Sequence, residues 1–284
     1  MKNVKTILMF VVISTLVFAG PQRVAALGGG TYWADDYSNI DAFPADVNNH
    51  SGSAWTNNSG GFTSVFDHDG NTWMCKASTE KNNVLDVGWG NGEMGVTLGV
   101  NMADGQDTNL DIGVGMPLAG GNFGFTTDTK DHSINLRKAQ DLWIFDNMLV
   151  GLDINDGEGG DTDKMAFNAD FYSNNGTLMH AVGFAYGDAD GGDATLTMTT
   201  AFGVESAWTD WATVRVGYSH GYDLMNQAGA GGDDALSLGL GFNYGSFNLD
   251  MGITTAVFTD PVKYLTGNNQ DAALGTGFDI TYTW

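Results

Sequence analysis

From about residue 84 onward the chain alternates with a period of two, and this constrains its fold more than any other feature. In 236–244, Leu236, Leu238, Leu240, Phe242 and Tyr244 are separated by Ser237, Gly239, Gly241 and Asn243. Successive side chains of a strand point to opposite faces, so one face is large and apolar and the other small and polar. In 247–257, Phe247, Leu249, Met251, Ile253 and Val257 face one way and Asn248, Asp250, Gly252 and Thr254 the other. The split recurs in 94–102, 110–118, 148–154, 165–171, 178–186, 194–204, 214–222 and 274–284. Many of these runs reach the 9–12 residues that a tilted strand needs to cross a bilayer.

Charge follows the same division. Along the clear strands between 85 and 284, no Asp, Glu, Lys or Arg falls on the apolar face. A charge facing lipid in a barrel costs about 2–4 kcal/mol at the bilayer midplane, so lipid accounts for this exclusion. The strand charges sit on the other face: Asp86, Glu93, Asp111, Asp153, Asp170, Glu205, Arg215, Asp250 and Asp279, with Lys76 and Lys164 as further cations. Trp89, Tyr186, Tyr222, Tyr244, Tyr282 and Trp284 recur near strand ends, where interfacial girdles belong. The apolar face also carries His180 and His220, and Cys75 shares the phase of Trp73 and Ala77.

The connections alternate in length. Short ones are expected at Asn91-Gly92, 119–122, Asp146-Asn147, Asn175-Gly176, 206–210 and Gly245-Ser246, and longer ones at 103–107, 156–163, 188–193, 223–234 and 260–272. Short turns at one end and longer loops at the other are the barrel arrangement. Counting back from the C-terminus predicts about fourteen strands, within a range of 12–16, the first near 71–78. The expected fold is all-β, a transmembrane antiparallel up-and-down β-barrel. The stretch 122–145 changes phase, which a bulge near Lys138–Asp141 would reconcile.

Three regions divide the chain. Lys2 and Lys5, the apolar run Ile7–Ala19 and the small residues Val24-Ala25-Ala26 form a secretory signal pattern, giving residues 1–26 as the expected signal peptide. Residues 27–70 are read as an N-terminal lead-in, a plug or an extra hairpin, and residues 71–284 as the barrel. The chain has 284 residues and a net charge of −23, from 34 acidic and 11 basic residues. That balance argues against nucleic acid as a partner. A single Cys excludes a disulfide framework or a Cys-based zinc site. Of the 41 glycines, many crowd the polar face of the strands, where small side chains leave space for water or a plug, and others mark turns.

The last residues, with Phe278, Ile280, Tyr282 and Trp284 in alternation, resemble the C-terminal insertion signal of bacterial outer-membrane β-barrels, the porin-like family. The resemblance implies an outer-membrane location, outer-membrane lipid around the barrel, and insertion by the barrel-assembly machinery. A second stretch, Asp35 to Ile40 leading into Phe43-Pro44-Ala45, looks like the N-terminal Asn-Pro-Ala region of fatty-acid-transporter-type barrels, with Phe43 in place of Asn. That family implies fourteen strands and an N-terminal plug.

The function expected is a passive channel or transporter for small solutes with an acidic lumen, and the alternative is a structural or adhesive surface barrel with a closed lumen. An acidic pore attracts cations. No catalytic motif surrounds His50, His68, His132, His180 or His220, so an enzyme is not expected, and no cofactor is implied. Asp188, Asp190 and Asp193 are calcium candidates, though their spacing does not fit a twelve-residue calcium loop, and solvated hairpin loops explain them better.

Overall fold

The computed structural model describes residues 20–57, 60–78, 85–101, 108–128, 130–155, 164–189, 194–225, 234–255 and 275–284. Sixteen antiparallel strands pair each with the next, and the last with the first, into a closed barrel. They are β1 (Ser53–Asn57), β2 (Phe62–His68), β3 (Asn71–Ala77), β4 (Leu85–Gly90), β5 (Gly95–Asn101), β6 (Asn109–Leu118), β7 (Gly121–Thr127) and β8 (Asp131–Leu142). The second half comprises β9 (Phe145–Asn155), β10 (Lys164–Asn174), β11 (Leu178–Ala189), β12 (Thr195–Thr209), β13 (Ala212–Asp223), β14 (Asp234–Tyr244), β15 (Phe247–Ile253) and β16 (Gly275–Thr283).

The barrel thus has two strands more than the fourteen counted from the sequence. The difference is the β1–β2 hairpin, which lies in the region read as lead-in, plug or extra hairpin. β1 completes the ring by pairing with β16, Ser53 opposite Thr283 through Asn57 opposite Asp279. At the seam Trp284 N donates to Gly52 O at 2.9 Å. Closure leaves no sheet edge to be satisfied by another chain.

The alternation reads directly onto the two faces. Phe202, Tyr218 and Leu236 are cross-strand neighbours on the outside, as are Leu249 and Ile280. The large side chains exposed there include Leu98, Ile112, Phe167 and Phe202. Cys75 is exposed on this outer side, beside Val87. Among the described residues, charges on it stand towards strand ends. Lys138 pairs with Met148, Asp188 with Met165, and Asp234 with His220.

Turn positions correct the sequence reading in several places: the connection expected at Asn175-Gly176 spans 175–177 and that expected at 119–122 is 119–120, and three others differ as follows. Between β8 and β9 the chain turns at Trp143-Ile144, with Trp143 at φ 58°, and Asp146-Asn147 lie within β9. The β8–β9 register shifts between Ala139 and Leu142, within the stretch where a bulge was needed, and that extra length moves the turn. Asn91 N donates to Met94 O at 3.1 Å, making a four-residue loop in which the Asn91 side chain caps Glu93 N and Met94 N. Glu93 is therefore on a turn and not among the inward-facing charges. β12 continues to Thr209, so its connection to β13 is residues 210–211 and not 206–210.

Residues 20–50 run inside the barrel. They form α1 (Pro21–Ala26) and two short 3-10 turns, Tyr37–Asp41 and Pro44–Asn49. Two apolar clusters hold this segment to the wall. One joins Leu27, Trp33 and Phe43 to Leu149, Tyr172, Met179, Ala181 and Ala201; the other joins Tyr37, Ile40 and Val47 to Trp55, Val65 and Met74. Among the described residues no helix is long and apolar enough to cross a membrane, which says nothing of the strands.

Candidate functional site: an acidic vestibule beside an internal plug

The plug depends on glycine in the wall. A Cβ at Gly95 would lie 2.1 Å from Pro44 O, at Gly124 2.0 Å from Ala42 O, and at Gly217 2.1 Å from Gly28 N. No side chain tolerates such approaches, so the inward glycines form the recess that admits the plug backbone. The plug's own polar groups then bind the wall. Asn174 Nδ2 donates to Tyr32 O at 2.9 Å, and Asn48 Nδ2 donates to Met94 O at 3.1 Å while Asn48 Oδ1 accepts from Gly92 N at 2.8 Å. The Gly92 and Met94 contacts place the second 3-10 turn at the short-turn end of the barrel.

Two ionic clusters fix the plug further. Arg23 grips Glu205 with two hydrogen bonds, Nε to Oε2 at 2.8 Å and Nη2 to Oε1 at 3.1 Å, and reaches Asp35 at 3.0 Å. Arg215 shares Glu205 at 2.5 Å and bonds Asp250 at 2.6 Å. Two cations thus face three carboxylates, and all but Asp35 are buried. Burial works against the Arg23 charge, but Glu205 and Asp35 overcome it and raise its pKa. On the other side Arg137 Nη2 bonds both oxygens of Asp46, at 3.1 and 2.9 Å, and Asn122 adds a third bond at 3.1 Å. Burial still raises the Asp46 carboxyl above its ordinary value. The guanidinium of Arg137 also stacks over Phe43 at 4.5 Å, and that of Arg23 over Trp33 at 4.9 Å.

Two other plug groups are strongly perturbed. Asp36 is fully buried; its Oδ1 accepts from Ser38 N and Oγ, and burial pushes its carboxyl up to about 7. Burial lowers His50 to about 4.

On the long-loop side of the plug lies a cavity of about 580 Å³. Asp41, Asp86, Asp111, Asp128, Asp131 and Asp153 line it, with Lys76, Lys164 and His132. Lys76 is committed to Asp86 at 3.2 Å and lies 3.9 Å from Asp41 of the plug. Ser133 Oγ donates to Asp153 Oδ1 at 2.5 Å, and Asn155 Nδ2 to Asp131. Carboxylates outnumber cations in this lining, so its field favours positive charge.

The residues singled out from the sequence fall into groups. Asp86, Asp111 and Asp153 are in the vestibule wall. Glu205, Arg215 and Asp250 belong to the Arg23 cluster. Asp279 accepts from Gln22 N at 2.6 Å, and Asp170 is inward between Asn168 and Tyr172. Phe278, Ile280 and Tyr282 are exposed on the outer side of β16, followed by Trp284. Asp188 stands exposed at the end of β11, while Asp190 and Asp193 lie outside the described residues. Among the described residues no cluster of three or more His, Cys, Asp or Glu could hold a metal ion.

Sequence reasoning missed Arg23, Asp35, Asp41, Asp46 and Arg137. Arg23 was hidden inside the expected signal peptide, and Arg137 fell in the stretch of broken phase. Leu149, Tyr172 and Met179 were also unexpected as inward residues, because period two alone does not say that a plug covers part of the polar face.

No protein-family model matches the chain, and no curated protein matches it. Among solved structures, an anion-selective porin from Comamonas acidovorans is similar, with 14% identity over 82% of this chain and 96% of that one, at a TM-score of 0.45.

Proposed function

We propose that this protein is a bacterial outer-membrane channel or transporter for small solutes, with an acidic vestibule that collects cations and an internal plug that limits passage. The vestibule carries the reading: six aspartates and two lysines around a cavity of about 580 Å³ at the long-loop end. A ring of sixteen strands is wide enough for an aqueous path when its interior is not filled. The exposed outer face, with its charges towards strand ends, suits a lipid surround, and the aromatic C-terminal strand suits insertion by the barrel-assembly machinery. The chain's own residues supply binding and electrostatics, and the reading involves no catalysis.

Planar-bilayer recording from pure refolded protein tests this. Single-channel steps are expected, with a reversal potential in a KCl gradient that marks cation preference. Asp86→Asn with Asp111→Asn should weaken that preference. The second reading, a structural or adhesive barrel with a closed lumen, is favoured by the ionic clusters that bind the plug on both sides. Silence from the wild type and from an Arg23→Ala/Arg137→Ala variant would support it and reject the channel.

A further inference from the structure

We infer that the exported chain begins at Gly20, and that its new α-ammonium group is a structural cation paired with Asp279 inside the barrel. The chain offers two places where small residues follow the apolar run, Val17-Phe18-Ala19 and Val24-Ala25-Ala26. The pattern of a signal peptide fits either. The fold distinguishes them.

Cleavage after Ala26 would discard α1, which is built into the lumen. Arg23 is 3% exposed and makes two bonds to Glu205. Without it, Glu205 would keep Arg215 alone and Asp35 would lose its cation. The wall also has recesses for α1: a Cβ at Gly239 would lie 2.5 Å from Ala26 Cβ, and one at Gly277 2.5 Å from Gln22 Nε2. A segment destined for removal needs no such recesses, and a buried charge network does not survive the loss of one partner without large cost.

Cleavage after Ala19 leaves all of this in place and creates a charge where one is lacking. Gly20 is buried, and a Cβ on it would fall 2.1 Å from Tyr37 Oη and 2.6 Å from Asp279 Oδ2. The nitrogen and Cβ of one residue are about 2.5 Å apart, two bonds across a tetrahedral carbon. The Gly20 nitrogen is therefore within about 5 Å of the Asp279 carboxylate, a range at which opposite charges interact strongly. Asp279 is 1% exposed, its Oδ1 has no hydrogen-bond partner, and neither has Tyr37 Oη. Hydrolysis of the 19–20 peptide bond consumes one water, leaves a carboxylate on Ala19 and converts the Gly20 amide nitrogen to an amine, which is protonated at neutral pH. Its three donors can meet Asp279 Oδ1 and Tyr37 Oη. The same bond would tie the first residue of the mature chain to β16, the last strand of the ring.

The test is the N-terminus of full-length protein expressed with its leader and purified from the outer membrane of a host. Intact mass and N-terminal sequencing should give a chain starting at Gly20; a start at Leu27, an uncleaved chain or any other start overturns the assignment. The ammonium pairing is read separately by acetylation with acetic anhydride at neutral pH. The Gly20 amine of the folded barrel should label at least about tenfold more slowly than that of the heat-denatured protein, and Asp279→Asn should narrow the difference. Equal labelling of folded and denatured chains would remove the pairing. Neither readout depends on conductance, so both are independent of the channel reading.

Discussion

At the residue scale, the plug shows how burial sets the behaviour of a few groups. Asp36 has a folded pKa of about 7 against an ordinary value of 3.8, chiefly because it is fully buried. Arg23 and Asp35 are the charges that act on it, with opposite signs, and Ser38 donates to it. A carboxyl whose pKa is higher folded than unfolded supports the fold most below the unfolded value. That support is lost as pH rises from about 4 through about 7. His50 acts in the other direction: with a folded value of about 4 it supports the fold above 6.5 and loses that contribution as pH falls towards 4. Asp36→Asn should therefore raise plug stability relative to wild type at pH 8 and not at pH 4, by up to a few kcal/mol. Limited proteolysis within residues 20–50 at the two pH values measures this, and an unchanged pH profile would dismiss the role of Asp36. Arg137→Ala leaves Asp46 buried with only the amides of Asn122 and Asn49 donating to it, and the cost expected for a broken buried pair is about 3–5 kcal/mol. Denaturant unfolding of the variant checks it, and Arg137→Lys, which keeps the charge but not the two-oxygen grip, should fall between.

At the scale of elements, the glycines of β5, β6 and β7 are positioned for contact with the 3-10 turn Pro44–Asn49 and its entry. Gly124→Ala would put a methyl 2.0 Å from Ala42 O, a backbone atom that cannot rotate away. The strand itself can hold alanine, since Gly124 is not among the residues at positive φ. The expected outcome is a barrel that still forms, with a plug loosened by about 1–3 kcal/mol and cut faster by protease. Gly221→Ala, whose Cβ would meet only Thr197 Cγ2 at 3.8 Å, should leave proteolysis unchanged. Most of the strands were legible because the alternation of large apolar and small polar residues repeats along them. The turn at Trp143-Ile144 was not. Its sequence lacks a turn signature, and Asp146-Asn147 supplies a false one three residues on. The β1–β2 hairpin was one of several readings of residues 27–70, left open because β1 has only five residues and its inward positions include Trp55, which stacks on Tyr37 at 4.2 Å. An aromatic that belongs to a plug contact reads as an outer-face residue until the plug is seen.

At the scale of the whole molecule, the barrel inverts the usual relation of core and surface. Large apolar side chains cover the outside, and the inside is a mixture of charge, glycine and an apolar plug. A single charge placed in the middle of the outer face should be costly. Leu98→Arg, on β5 between Val87 and Ile112, is expected to lose about 2–4 kcal/mol of folding free energy in lipid. Folding into phospholipid vesicles, followed by the gel shift between heated and unheated samples, measures the loss; an unaffected variant would argue that this face does not meet lipid. The net charge of −23 is carried by the vestibule, plug and connections, so it describes the aqueous surfaces.

The sequence by itself determined the class of fold and the sidedness of each clear strand. Period two places side chains without reference to anything distant, and the apolar outer face keeps its charges towards the strand ends. Sixteen strands instead of fourteen, the plug, and the partners of Arg23 and Arg137 were decided by tertiary structure. Arg23 and Glu205 are 182 residues apart, and no local pattern records that they meet. The fatty-acid-transporter resemblance included a plug, and residues 20–50 do lie in the lumen, yet the fourteen strands it also implied did not follow. Ring closure depends on which strand finally pairs with β16, and that is settled only when β1 returns to it across the seam.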